Sequence, residues 1–259
     1  MSSLSSPFQY YPTQSIAIAD GQPLKLKALA SLPLSDLAGL SDGSNDETGH
    51  ACWRGALVFL ALLGNTSISR SNVLTNVLRN LFINRTVIEL GAGSGIGGLG
   101  LLRTLEPATV ESLAITDGDA SAVDLSRENF LLNFQTPDAH APSRATFSRL
   151  QWSVDPPADS PSARPLVDTV FACDVVYDVS ILPPLFATAA RLLKPSGVFA
   201  LSHICRSTFN GRPVGSEEEL EAHIQEVAAS FSFSATDPIL RQTTNDDYER
   251  GSVLLFRKI

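Results

Sequence analysis

A buried-strand pattern that runs straight into a glycine cluster constrains this chain more than any other feature. Thr86-Val87-Ile88-Glu89-Leu90 is a short apolar run rich in β-branched residues, and Gly91-Ala92-Gly93-Ser94-Gly95 follows it and opens a helical pattern through Leu105. Glycines there let the backbone turn sharply and approach a ligand, while the helix start beyond them offers free N–H groups to an anion. The rest of the chain repeats the alternation. Strands are expected at Leu113–Thr116, near Ala145–Leu150, at Asp168–Val176 and at Gly197–Ser202, with helices over Ala120–Asn133 and Ser180–Leu193 between them. Ser216 with Glu217, Glu218 and Glu219 marks a further helix start, and Phe231–Ala235 and Ser252–Arg257 read as two closing strands. Strand and helix in turn predict a Rossmann-like, doubly wound α/β sheet of seven strands, mostly parallel with an antiparallel last strand.

Upstream of this body, Ser15–Ala19 and Leu24–Lys27 alternate around Asp20-Gly21, which predicts a β-hairpin. Helices are expected over Gly49–Leu63 and Ser69–Phe82, and the proline- and serine-rich stretch from Asp155 to Pro165 reads as a loop. The domain reading is an N-terminal extension over 1–48 and one α/β domain over 49–259. A chain of 259 residues, 44% hydrophobic, buries a full core in that form.

A net charge of −8 gives no general attraction to phosphate backbones or anionic membranes. No segment reaches the roughly 20 apolar residues of a membrane span. Three scattered cysteines, Cys52, Cys173 and Cys205, show neither a disulfide framework nor zinc spacing, and His50, His140, His203 and His223 lack metal-ligand spacing. These features predict a soluble cytoplasmic protein without a metal, and a monomer is expected.

Gly93-x-Gly95-x-x-Gly98 also satisfies the dinucleotide fingerprint, so an NAD-linked oxidoreductase is the first alternative. Glu89, two residues before the first glycine, and the pattern Glu-x-Gly-x-Gly-x-Gly favour S-adenosylmethionine: a carboxylate there accepts from an ammonium, directly or through water, and suits a pyrophosphate poorly. Asp117 ends the second strand, where a carboxylate accepts both ribose hydroxyls, while Asp119 is the better helix cap. Trp152 closes the third strand, with its indole placed to pack beside an adenine or in the core. At the end of the fourth strand, Asp174 and Tyr177 stand where an acceptor must arrive. The NAD reading is weakened because Tyr177 has no lysine four residues later. Asp155-Pro156-Pro157 mimics a base-flipping motif but lacks its aromatic and precedes the fourth strand, which argues against nucleic acid. A small-molecule methyltransferase shares the core pattern.

Taken in order, Trp53, ELGAGSG at Glu89 to Gly95, TDG at Thr116 to Gly118, LQW at Leu150 to Trp152 and DVVY at Asp174 to Tyr177 resemble the seven-β-strand protein-lysine methyltransferases, which modify elongation factor 2, Hsp70-type chaperones, valosin-containing protein and calmodulin. Asn84-Arg85-Thr86 and the L-x-W motif look closest to the elongation factor 2 enzymes. The resemblance spans roughly Trp53 to Leu201 and implies an S-adenosylmethionine pocket lined by Trp53, Gly91, Gly93, Asp117, Trp152 and Cys173. It further implies a channel for a lysine of a protein substrate, shaped by Asp174 and Tyr177. Arg54-Gly55 departs from the small or acidic residues usual after that tryptophan.

Overall fold

The computed structural model describes residues 8, 11–18, 23–29, 47–64, 72–105, 109–134, 145–155, 165–205, 208–209, 212–243 and 250–259. In chain order the elements are β1 (Thr13–Ile16), β2 (Leu24–Lys27), a 3₁₀ turn (Glu47–His50), α1 (Arg54–Gly64), α2 (Asn72–Asn80), β3 (Thr86–Leu90), α3 (Ile96–Thr104), β4 (Ser112–Asp117), α4 (Ala120–Phe134) and β5 (Ala145–Arg149). There follow β6 (Val167–Cys173), a 3₁₀ turn (Val179–Ile181), α5 (Leu182–Leu192), β7 (Leu193–Ile204), β8 (Thr208–Phe209), β9 (Arg212–Pro213), α6 (Glu217–Ser230), β10 (Phe233–Thr243) and β11 (Arg250–Lys258).

Seven strands form one sheet in the order β10-β11-β7-β6-β3-β4-β5. The pairs from β7 through β5 are parallel, and β11 runs antiparallel to both β7 and β10. From β3 the chain winds outward through β4 and β5, then crosses back to β6 on the other side. The crevice between the C-terminal ends of β3 and β6 is therefore the topological switch point, where ligands of open α/β sheets bind.

Both faces of the sheet are covered. On one, α1 to α4 and the hairpin close over a core in which Phe59 stacks on Phe171 with centroids 5.3 Å apart and Phe82 meets both edge-on. On the other, α5 and α6 pack Leu185, Phe186 and Ile224 against Phe199, Phe233 and Phe256. Strands buried on both faces explain the near-continuous apolar runs at Val87–Leu90 and Val170–Cys173.

Local chemistry sets several helix starts. Ser216 accepts a hydrogen bond from the Glu219 N–H at 3.2 Å, and three glutamates occupy the first turn of α6. Two prolines begin α5, where a missing N–H costs nothing. The hairpin docks on α4 through two asparagines one helical turn apart. Asn133 accepts from the Lys25 N–H at 2.9 Å and donates to the Lys25 carbonyl at 2.6 Å, while Asn129 makes the same pair with Lys27 at 2.7 and 2.9 Å. Four residues of helix rise about 6 Å and two of strand about 6.8 Å, so the two repeats match.

Several expected boundaries move: β1 begins at Thr13, α2 spans Asn72–Asn80, β6 ends at Cys173 and β10 runs on to Thr243, and two further shifts have a local cause. The helix expected from Gly49 begins at Arg54, because Glu47–His50 winds into the 3₁₀ turn and Ala51 bridges Leu29. The expected linker Leu193–Gly197 joins β7 instead: Leu193 pairs with Val167 and Val198 with Thr169, so Lys194 to Gly197 bulge out. The hairpin turn at 19–22 and most of the expected loop over 155–165 lie outside the described residues.

Candidate active site

Gly91 follows directly from β3 with φ of +67°, and Gly93 with +54°. Side chains rarely adopt such backbone, and neither position has room for one. A Cβ on Gly91 would stand 2.7 Å from Val175 Cγ1 and 3.0 Å from Trp152 Cζ2; one on Gly93 would stand 2.7 Å from the Gly49 carbonyl. The loop thus passes beneath Trp152 and Val175 on one side and the strap before α1 on the other. Ala92 closes it, donating to the Thr116 carbonyl at 2.9 Å and accepting from the Gly95 N–H at 2.8 Å, and Gly95 begins α3.

Asp117 reaches across from the end of β4. Its Oδ2 accepts from the Gly93 N–H at 2.8 Å and its Oδ1 from the Asp119 N–H at 2.9 Å. Burial pushes its carboxyl above the ordinary value, against the lowering effect of these N–H groups. Asp119 holds the α4 start instead, accepting from the Ser121 N–H at 2.9 Å.

Glu89 is enclosed behind the loop, 1% exposed, with both carboxylate oxygens accepting from the Gly98 N–H at 3.0 and 3.1 Å. A Cβ on Gly97 or Gly98 would overlap that carboxylate, which assigns both glycines a role that spacing alone does not show. Burial pushes the Glu89 carboxyl up to about 8. Cys173 lies beneath the same helix start, 8% exposed, with its thiol pushed up by burial and by Glu89 and Asp174.

On the other side of the crevice, Asp174 adopts φ of +61° just past β6, its N–H donating to the Ser202 carbonyl at 2.7 Å. Its Oδ2 accepts from the Gly55 N–H at 2.7 Å, in the first turn of α1. Gly55 tolerates no side chain, since a Cβ would lie 2.6 Å from both Asp174 Cβ and Cγ. The departure at Arg54-Gly55 thus has a packing reason: the glycine admits the carboxylate to the helix terminus. Trp53, half-buried, immediately precedes that helix, and Tyr177 stands at the surface, 51% exposed.

The structure therefore gathers the glycine loop, Asp117, Trp152, Asp174 and Tyr177 along one edge of the sheet. Trp152 adds the observation that bears most on a ligand: its indole Nε1 is buried without a hydrogen-bond partner among the described residues, a rare state for a buried donor. Residues 34–213 match the model of a family described as lysine methyltransferase. The chain belongs to the lysine methyltransferase family. The methyl donor of these enzymes is S-adenosylmethionine, and the crevice fits it: left-handed glycines no side chain can replace, a carboxylate at the end of β4 and an orphaned indole N–H.

Among curated relatives of this family member are human protein-lysine N-methyltransferase EEF2KMT, 30% identical over 117 residues, and EFM3 of Saccharomyces cerevisiae, 32% identical over 108. These alignments cover 43% and 41% of this chain and 34% and 29% of those proteins, so the chain spans about a third of the length of the relatives it matches. The crystal structure of the CurJ carbon methyltransferase superposes with a TM-score of 0.51 at 16% identity, covering 87% of this chain and 59% of that one, which shows the shared fold. Among the described residues no helix is long and apolar enough to cross a membrane.

Proposed function

We propose that this chain transfers a methyl group from S-adenosylmethionine to a lysine side chain of a protein, with a translation elongation factor as the favoured target. One contact carries the reading. The loop that would hold the donor and the segment that would hold the acceptor touch each other, through Gly91 and Val175, at the switch point of the sheet. The favoured target rests on the likeness to EEF2KMT and EFM3.

In this reading Gly91, Ala92, Gly93 and Gly95 present backbone to the methionine end of the donor, Asp117 accepts its ribose hydroxyls, and Trp152, Trp53 and Cys173 enclose the rest. Glu89 acts from behind, fixing the start of α3 through Gly98. When bound, the donor supplies a methyl group on a sulfonium, which carries its own leaving group. What remains for the protein is placement, and a near-attack geometry contributes roughly 7–11 kcal/mol. The acceptor amine must also be neutral, and deprotonating a free lysine at pH 7 costs about 4.6 kcal/mol. Asp174 orients the arriving ammonium and Tyr177 lines its path and strips water from it; the proton leaves to water before attack.

Labelled S-adenosylmethionine incubated with the protein and a whole-cell extract tests this. Label is expected in material that protease destroys and nuclease spares, and in purified elongation factor 2 as methyllysine. Label confined to small molecules or nucleic acid would overturn the reading.

A further inference from the structure

The N-terminal segment forms a polar chain that ends in the donor pocket. The Tyr11 hydroxyl lies 2.8 Å from His50 Nδ1, and His50 Nε2 lies 2.8 Å from Ser121 Oγ. Ser121 Oγ in turn donates to Asp119 Oδ2 at 2.7 Å, and the Asp119 N–H donates to Asp117 Oδ1 at 2.9 Å. Counting protons fixes the directions. The single hydroxyl proton of Ser121 is committed to Asp119, so Ser121 accepts from His50 Nε2, and a tautomer with one proton carries it there. Nδ1 is then an acceptor, and the Tyr11 O–H fills it. The first three links run through the imidazole and the hydroxyl and polarise one another, and Asp119, whose side chain they hold, donates its backbone N–H to Asp117.

The imidazole has little freedom. It is 6% exposed, with the rings of Phe8 and Tyr11 each 5.7 Å from its own. The carbonyl of the preceding Gly49 faces Gly93, so the strap that carries His50 also lies against the glycine loop.

We propose that His50 is a positioning residue for the nucleoside half of the donor: it fixes Asp119, and through it the Asp117 carboxylate, with Tyr11 setting the tautomer. This rests on the reading of Asp117 as the ribose acceptor. The N-terminal segment is then part of the donor site.

Calorimetry with S-adenosylhomocysteine and its 2′,3′-dideoxyribose counterpart tests it, because the two ligands differ only where Asp117 acts. His50→Phe keeps an aromatic ring between Phe8 and Tyr11 and removes both hydrogen bonds. The preference for the ribose ligand is expected to fall about three- to tenfold, the range of one hydrogen bond, with affinity for the dideoxy ligand unchanged. Tyr11→Phe, which removes one hydroxyl, is expected to shift the preference in the same direction by less, and it serves if His50→Phe does not fold. In an Asp117→Asn background, which lacks the preference, adding Tyr11→Phe is expected to change nothing further. Variants that retain the full preference, or that lose affinity for both ligands equally, overturn the relay alone. A wild-type protein that binds neither ligand, or both equally, overturns the reading of Asp117 and the relay with it.

Discussion

Asp174 combines two demands in one side chain. Its backbone is left-handed, a conformation aspartate and asparagine tolerate better than most residues, and its carboxylate satisfies an N–H at the start of α1. Asp174→Asn keeps an acceptor and the tolerance, so urea unfolding is expected to show a loss under about 1 kcal/mol; Asp174→Ala leaves the Gly55 N–H unmatched and is expected to cost about 1–3 kcal/mol. Both variants are expected to lose turnover, and full turnover in the asparagine variant would remove the carboxylate from acceptor binding. Glu89 makes a different prediction. Its folded value of about 8 lies above the roughly 4.3 of an unfolded glutamate, so its contribution to stability is complete below about pH 4 and is lost as pH rises through 8. The unfolding midpoint of the wild type is expected to fall more between pH 5 and 8 than that of Glu89→Gln, whose amide does not ionise. Equal slopes would show that Glu89 is not held protonated. Glu89 was legible as an acidic residue at the loop, but its position behind the loop was not, because only the folded α3 brings Gly98 over it.

At the scale of elements, the β1–β2 hairpin is held by side chains of α4. Asn129 joins it to the glycine loop as well, since its Nδ2 donates both to the Lys27 carbonyl and to the Ser94 carbonyl, each at 2.9 Å. Asn133→Ala is expected to speed amide exchange at Lys25 and leave donor affinity unchanged, whereas Asn129→Ala is expected to speed exchange at Lys27 and weaken donor binding severalfold, at a stability cost of roughly 1–3 kcal/mol. Equal effects of the two on donor affinity would separate the hairpin from the loop. The hairpin itself was readable from period-two alternation around Asp20-Gly21. Its docking partner was not, because Asn129 and Asn133 look like ordinary polar positions of an amphipathic helix until β2 lies beside them. The start of α1 was misplaced for a related reason: helical spacing over Gly49 to Leu63 carries no sign that Ala51 pairs with Leu29 and that Asp174, far along the chain, waits for the Gly55 N–H.

At the scale of the whole molecule, the two edges of the sheet do different work. The C-terminal edge holds the site, while at the opposite edge Asp168 ties β3, β6 and β7 together, accepting from the Thr86 N–H at 3.0 Å and from Lys194 Nζ at 2.9 Å. Lys194 and the Thr86 groups hold its carboxyl at about 2, against the cost of burial. A depressed value means stability that is present above about pH 4 and lost as pH falls toward 2. The wild type is expected to be more stable than Asp168→Asn at pH 7, the gap is expected to close between pH 4 and 2, and donor affinity at pH 7 is expected to be the same in both; a gap independent of pH would remove the charge from the account. The strands, most helices and the glycine loop are properties of local order: period, β-branching, capping and turn residues act over a few neighbours, and they place Gly91, Asp117 and Asp174 at strand ends before any fold is known. Which groups meet is another matter. The pair Glu89 with Gly98 exists only once α3 folds back over the end of β3, and the pairs Gly55 with Asp174 and His50 with Ser121 only because the N-terminal strap and α1 fold over the edge of the sheet. Hydrogen bonds and close packing act over a few ångströms in space, not along the chain, so the tertiary structure alone decides those partners.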